Sequence, residues 1–237
     1  HSAPPEAISL LILIVSLAFL KLLHKLAGKT GLCVYNSIAV CLANIQVLHI
    51  TKYSLLPSAL PLGTVLFTTT FLSNTMLSSK YGKQEATRCI YLTFVVYTFF
   101  AFSLIISLMH KPFFLAEDPF TQQAYLNYQA MARLFTPSLR LLCASLAAFL
   151  ASQFCNVCFF EKMRHSAHCA VAKAAGAISV LASSIIDNVV FSMLAFYVWS
   201  PVPASINVIL QGYVLETLAV RCIVILVFTM VFRIRDI

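Results

Sequence analysis

The sequence predicts an all-α fold: a polytopic transmembrane helical bundle with six core spans and one extra N-terminal helix. Three observations carry this. The 237 residues are 60% hydrophobic and only 10% charged, with a mean hydropathy of +0.90, whereas a soluble domain carries about 25% charged residues. The apolar residues come in blocks close to the ~20 residues that a membrane helix needs. Few segments are amphipathic, as the helices of a soluble all-α core would have to be. The whole chain reads as a single integral membrane domain, residues 1–237.

The elements follow in order. Ile8–Leu23 is a largely apolar run of sixteen residues with Lys21 near its end and His24, Lys25 and Lys29 just after, so it reads as a membrane helix rather than a signal peptide, whose basic residues come first. Because the chain starts at His1, a trimmed or engineered N-terminus is expected. Leu32–Ile50 is the second span, with Asn36, Asn44, Gln46 and His49 in it. Its Ala39-x-x-x-Ala43 pair would let another helix approach closely. A loop from Lys52 to Pro61, carrying Pro57, leads to a third span at Leu62–Ser79. That span ends in a row of small polar residues and a tight Tyr81-Gly82 corner between Lys80 and Lys83.

Thr87–Met109 is the fourth span and is rich in aromatic residues. Residues 110–137 form a polar linker whose amphipathic part, Gln122–Leu134, is expected to lie at the membrane interface or over a cavity. Spans at Ser138–Met163, Val171–Trp199 and Ile206–Phe232 complete the set, so that residues 32–232 make the six-span core and residues 8–23 the extra helix.

The charge pattern orients the bundle. With the N-terminus outside, the inside loops hold Lys21, Lys25, Lys29, Lys80, Lys83, Arg88, Lys162, Arg164, Lys173, Arg233 and Arg235, eleven of the sixteen Lys and Arg. The outside loops hold Lys52, Lys111 and Arg133. This alternation predicts a multi-pass plasma-membrane protein (inner membrane in a Gram-negative cell) with a cytoplasmic C-terminus. It also accounts for the net charge of +8 without nucleic acid as a partner. Membrane lipids are the expected surroundings.

Cys155-x-x-Cys158 with His165, His168 and Cys169 has the look of a zinc set. The first pair falls inside a span and the histidines in the next loop, so no metal and no cofactor are assigned.

Ionisable groups inside spans cost ~2.5–3.5 kcal/mol each on insertion scales and mark places with a purpose. Here they are Arg140, Asp187, Glu216 and Arg221. Two roles are open: ion pairs that lock the last three helices together, or a polar solute site. Spacing favours a site. Ser152, Gln153 and Asn156 share one helix face, and Ser184, Asp187 and Asn188 share another. Two amide-bearing faces and a carboxylate suit a flat heterocycle with many donors and acceptors. The chain has no Walker loop, no H-E-x-x-H and no G-x-S-x-G, so it reads as a non-enzyme.

At these residues the sequence resembles the queuosine precursor transporter family, vitamin-uptake-like membrane proteins with six core spans. The likeness runs from about residue 35 to 232. It includes Asn44, the F-x-x-T-F-L run Phe67–Leu72, the Y-G-K-x-E-A corner Tyr81–Ala86, Arg140, A-S-Q-F-C-N at Ala151–Asn156 and S-S-I-I-D-N at Ser183–Asn188. Arg221 stands where the family usually has Lys. Thr75, Ser79 and Asn156 stand where it usually has acids, and Glu216 has no family counterpart.

The resemblance implies import of a small-molecule 7-deazaguanine such as preQ0, preQ1 or queuine. Asp187 or Glu216 would read the guanine-like edge, with Gln153, Asn156 and Asn188 as amide partners and Arg221 as counter-charge or carbonyl donor. Arg140, Asn44 and Thr75 complete the expected binding set, and Phe71, Phe154 or Phe191 would stack on the ring. The Phe67–Ala86 stretch would wall the cytoplasmic side of the path. A homodimer, or an energising ATPase partner served by a substrate-binding subunit, is the alternative organisation, with Ala39-x-x-x-Ala43 as a docking face.

Overall fold

The computed structural model describes residues 4–54, 59–113, 115, 118–135, 138–166, 169–198 and 215–231. Its elements are α1 (Pro5–Gln46), β1 (Ile50–Lys52), β2 (Ala59–Pro61), α2 (Gly63–Tyr81), α3 (Lys83–Met109), α4 (Pro119–Phe135), α5 (Ser138–Arg164), α6 (Cys169–Ser192), which runs on into a π-helical turn at Met193–Val198, and α7 (Leu215–Val231).

The first two expected spans are both inside α1, which is broken at Gly28, where φ is +54°. A straight helix of that length would span about 60 Å. Instead Ser9 Oγ lies 2.8 Å from Tyr53 OH, and Glu6 Oε1 accepts from the Ser54 amide at 2.6 Å. The chain therefore turns back at Gly28, and α1 is a hairpin of two limbs, residues 5–27 and 29–46. The turn is tight: a Cβ on Gly31 would sit 2.0 Å from the Leu23 carbonyl oxygen. Leu13, Leu17 and Leu20 of the first limb are buried in the same core as Leu32, Tyr35 and Val40 of the second.

The expected loop between the second and third spans carries a short antiparallel ladder, with Ile50 opposite Pro61 and Lys52 opposite Ala59. It is a local addition to an otherwise helical fold. The ladder lets the chain cross from α1 to α2 at the bundle end with its backbone groups paired.

The Ala39-x-x-x-Ala43 pair is used inside the chain. Both alanines are buried, and a Cβ on Gly63 would meet the Ala43 carbonyl oxygen at 2.4 Å. The close approach it permits is between the second limb of α1 and the start of α2, which corrects the expectation of an external docking face.

Among the described residues, four helical stretches are long and apolar enough to cross a membrane: Pro5–Gln46, Lys83–Met109, Leu141–Arg164 and Ala174–Ala195. Thr217–Thr229 is apolar but shorter. α2 fails the same test because its Thr, Ser and Asn side chains make it too polar, yet 15 of its 19 residues are buried. It is enclosed by α1, α3, α5, α6 and α7. Such a helix is tolerated at membrane depth because its polar groups face protein instead of lipid.

α4 forms over the expected amphipathic run, mostly exposed, and is tied to the end of α3 by Tyr128 OH donating to the Leu108 carbonyl at 3.0 Å.

The two ends of the bundle differ. One gathers the Gly28 turn, the Tyr81-Gly82 corner and the end of α5. There Lys29 pairs with Glu85 at 3.2 Å, His24 meets Tyr81 at 3.2 Å, and Arg164 donates to the Ser78 carbonyl at 3.2 Å. The other end carries the β ladder, the last turn of α1 and the first turn of α2.

Candidate functional site

The last turn of α1, the first turns of α2, the middle of α5, the last turns of α6 and the second turn of α7 converge near the β-ladder end. Between them lies a cleft lined by Asn44, Val47, Gly63, Thr64, Phe67, Ser145, Ala148, Asp187, Asn188, Phe191 and Arg221. Its cavity volume is about 30 Å3, the share of a single water. The cleft is therefore narrow.

Its charged centre is one ion pair. Arg221 Nη2 donates to Asp187 Oδ2 at 2.7 Å and to Asn188 Oδ1 at 3.0 Å. Arg221 is 3% exposed and Asp187 7%. Ser152 donates its hydroxyl to Asp187 Oδ1 at 3.2 Å, and the Asn188 amide donates to Thr217. The Phe71 ring lies 5.6 Å from the guanidinium carbon, close enough for a cation–π contact in a desolvated place. Arg221 Nε and Nη1 are buried and have no hydrogen-bond partner among the described residues. Buried donors left in this state are costly, and these two belong to a residue that lines the cleft.

Deeper in the bundle the amides form a separate chain of donors. Asn36 donates to Asn74 at 2.9 Å, Asn74 to Gln153 at 2.6 Å, Gln153 to Thr70 at 3.0 Å, and Thr70 to the Phe67 carbonyl at 2.7 Å. A run of this kind, each member donating onward, is mutually polarised. One turn further from the cleft, Asn156 donates to the Phe71 carbonyl at 3.1 Å and to Thr75 Oγ1 at 3.2 Å. Below that, Ser78 donates to Glu161 at 2.7 Å, and Arg164 lies 3.2 Å from the same carboxylate.

The expected site residues thus fall into three groups. Asp187, Asn188, Arg221 and Asn44 line the cleft, and so does Phe191. Gln153, Asn156, Thr75 and Phe71 are fully buried beneath it, bound to α2 or under Arg221, and do not line it. The side chains of Arg140 and Glu216 lie outside the described residues. Phe154 is a correction. It is only half-buried and meets Tyr91 of α3 edge-on at 5.3 Å, so it packs towards α3 instead of over the cleft.

Sequence reasoning missed Val47, Gly63, Thr64, Phe67 and Ser145 as lining residues and Asn74 as a bridge. Asn74 carries a usable signal, an amide inside a span. The others are ordinary residue types in apolar runs, and only the convergence of α1, α2 and α5 brings them to the cleft.

Comparison with known proteins gives the family of the chain. The family model described as "Putative vitamin uptake transporter" matches residues 61–234. A protein of Bacillus subtilis (strain 168) named "Probable queuosine precursor transporter" is 26% identical over 206 residues, covering 86% of this chain and 84% of the relative. No solved structure matches. The matched residues run from the end of the β ladder through α7 and take in both halves of the Asp187–Arg221 pair, and the chain belongs to this vitamin uptake transporter family.

Proposed function

We propose that this protein imports a queuosine precursor, a 7-deazaguanine, across the plasma membrane and binds it in the Asp187–Arg221 cleft. The observation that carries the proposal is the state of Arg221. One of its nitrogens holds Asp187, while Nε and Nη1 stand buried without partners among the described residues. A guanine-like edge supplies what this site lacks. Its carbonyl oxygen accepts from these guanidinium N–H groups, and its ring N–H and exocyclic amine offer donors to Asp187. Asn44 and Asn188 add amide contacts, and Phe191 a face for stacking. The similarity to the Bacillus subtilis protein supports the same substrate class.

The topology belongs to the proposal. The first limb of α1 is the extra helix, and the second limb with α2, α3, α5, α6 and α7 makes the six-span core, with α4 at the interface. The basic end faces the cytoplasm, which puts the cleft nearer the outer face and the Thr75–Asn156 and Ser78–Glu161–Arg164 contacts below it. Arg140 and Glu216, on α5 and α7, are assigned to the outer approach. Gln153, Asn156, Thr75 and Phe71 act as the floor that holds Arg221 and α2 in place.

Uptake of labelled 7-deazaguanines into cells that depend on salvage tests this. Accumulation is expected in cells carrying the chain and is lost in Arg221→Ala, whereas no accumulation of any precursor sinks the assignment.

A further inference from the structure

The outer side of α3 carries a groove that changes character along its length. Lys83, Gln84, Thr87 and Arg88 line its polar part, and Tyr91, Leu92 and Val95 its apolar part. The spacing of i, i+1, i+4, i+5 and onward keeps all of them on one face of the helix. From Lys83 to Val95 that face runs about 18 Å along the axis. It is cationic at the basic end of the bundle and apolar from two turns further in. Thr87 is half-buried and the other six are exposed. The groove holds about 520 Å3, a volume in the range of ligand sites. Phe154 of α5 meets Tyr91 edge-on at 5.3 Å and steadies that ring.

The cations of the groove are not used up inside the chain. Lys83 makes no ion pair among the described residues. Arg88 meets Glu85 Oε1 at 3.4 Å, but the same oxygen lies 3.2 Å from Lys29. One carboxylate between two cations leaves positive charge over, and Lys83 adds to it.

We propose that this groove is a binding site for a phospholipid with a net negative headgroup. Lys83 and Arg88 hold the phosphate, Gln84 and Thr87 add hydrogen-bond donors, and an acyl chain lies along Tyr91, Leu92 and Val95. Charge and shape select this occupant together. A zwitterionic lipid has the same tails but brings a cation of its own to Lys83 and Arg88. Free phosphate has the charge but leaves the apolar part uncovered. A second copy of the chain, related by a two-fold axis along the membrane normal, would set Lys83 and Arg88 against the same two cations. The site is separate from the Asp187–Arg221 cleft and does not depend on what that cleft binds.

Native mass spectrometry of the full-length chain, released from a nonionic detergent, tests the proposal. Phosphatidylglycerol and phosphatidylcholine with the same acyl chains are titrated in turn. Phosphatidylglycerol is expected to bind at least about tenfold more tightly, given two basic side chains at a membrane surface. Lys83→Gln with Arg88→Gln should abolish that preference. Lys21→Gln with Lys25→Gln removes as much charge outside the groove and should leave it intact. All four residues are exposed, so both variants are expected to keep the unfolding temperature of the parent. No preference in the parent, or a preference that survives the Lys83 and Arg88 changes, overturns the site. Equal loss in the two double variants means a diffuse basic surface and overturns it too. So does displacement of the lipid by an equal concentration of inorganic phosphate, which would leave an anion site alone. A dimer that Val95→Arg dissociates would put a second copy on this face in place of lipid.

Discussion

α2 and α3 are neighbours joined by one corner, and they solve opposite problems. α3 is apolar and shows most of its surface: Tyr91, Leu92, Val95, Val96, Phe99, Phe102, Ile106 and Met109 are exposed, and 6 of its 27 residues are buried. α2 is polar and almost wholly enclosed, with Thr68, Thr69, Thr70, Ser73, Asn74, Thr75 and Ser78 all buried. In a water-soluble protein the apolar helix would be inside. Here lipid takes the place of water outside α3, while the polar residues need partners that lipid does not have. α2 finds them across the bundle: Tyr35 at Thr69, Asn36 at Asn74, Gln153 at Thr70, Asn156 at Thr75 and Glu161 at Ser78. The lesson is that hydropathy marks the lipid-facing helix, and its failure in α2 marks the helix beside the site.

Substitutions break this contrast to different degrees. The largest effect is expected beside α2, at the ion pair over Phe71. Asp187→Ala leaves the Arg221 guanidinium buried without its carboxylate and is expected to cost about 3–5 kcal/mol. Asp187→Ala with Arg221→Ala should regain part of this stability without regaining uptake. Thermal unfolding in detergent, run beside an uptake assay, reads both; full stability in the single variant would mean that the pair is not desolvated.

Gly63→Ala comes next, because the new methyl would sit 2.4 Å from the Ala43 carbonyl oxygen. Prying α2 from α1 is expected to cost ~2–3 kcal/mol, visible as a lower unfolding temperature.

Gln153→Leu removes the acceptor of Asn74 and the donor to Thr70, for a loss of roughly 1–2 kcal/mol. Thr70→Val in the same background should then cost less than it does alone, and strict additivity would show that the two do not share a network. The smallest effect is expected on the lipid side, where Phe99→Leu on α3 should stay within about 0.5 kcal/mol of the parent.

The sequence made much of the fold legible, and the reasons are local. The apolar runs gave α3, α5 and α6 nearly to their ends, because lipid contact selects for hydropathy over the whole length of a span. The amphipathic pattern of residues 122–134 gave α4. The hairpin return at Gly28 was legible only as two runs around a basic turn. The β ladder at 50–52 and 59–61 was not legible, since its pairing depends on where α1 ends and α2 begins.

At the site, the shared faces of Ser152, Gln153 and Asn156, and of Ser184, Asp187 and Asn188, are buried. The in-span charges alone leave ion pairing and a solute site both open, and the geometry pairs Asp187 with Arg221. Helical spacing cannot tell whether an inward amide meets a cavity or a neighbouring helix. Asn188 reaches the cleft, whereas Asn156, on an equally inward face, is spent on Thr75 and the Phe71 carbonyl.

The polarity of α2 also bears on how the chain is made. A helix with this many hydroxyl and amide groups is a poor independent guest of the bilayer during synthesis. The α1 hairpin emerges before α2 and already presents Tyr35 and Asn36, the partners of Thr69 and Asn74. The order of elements along the chain therefore gives α2 a polar berth before it has to leave the insertion machinery, and α5 closes over its other side later.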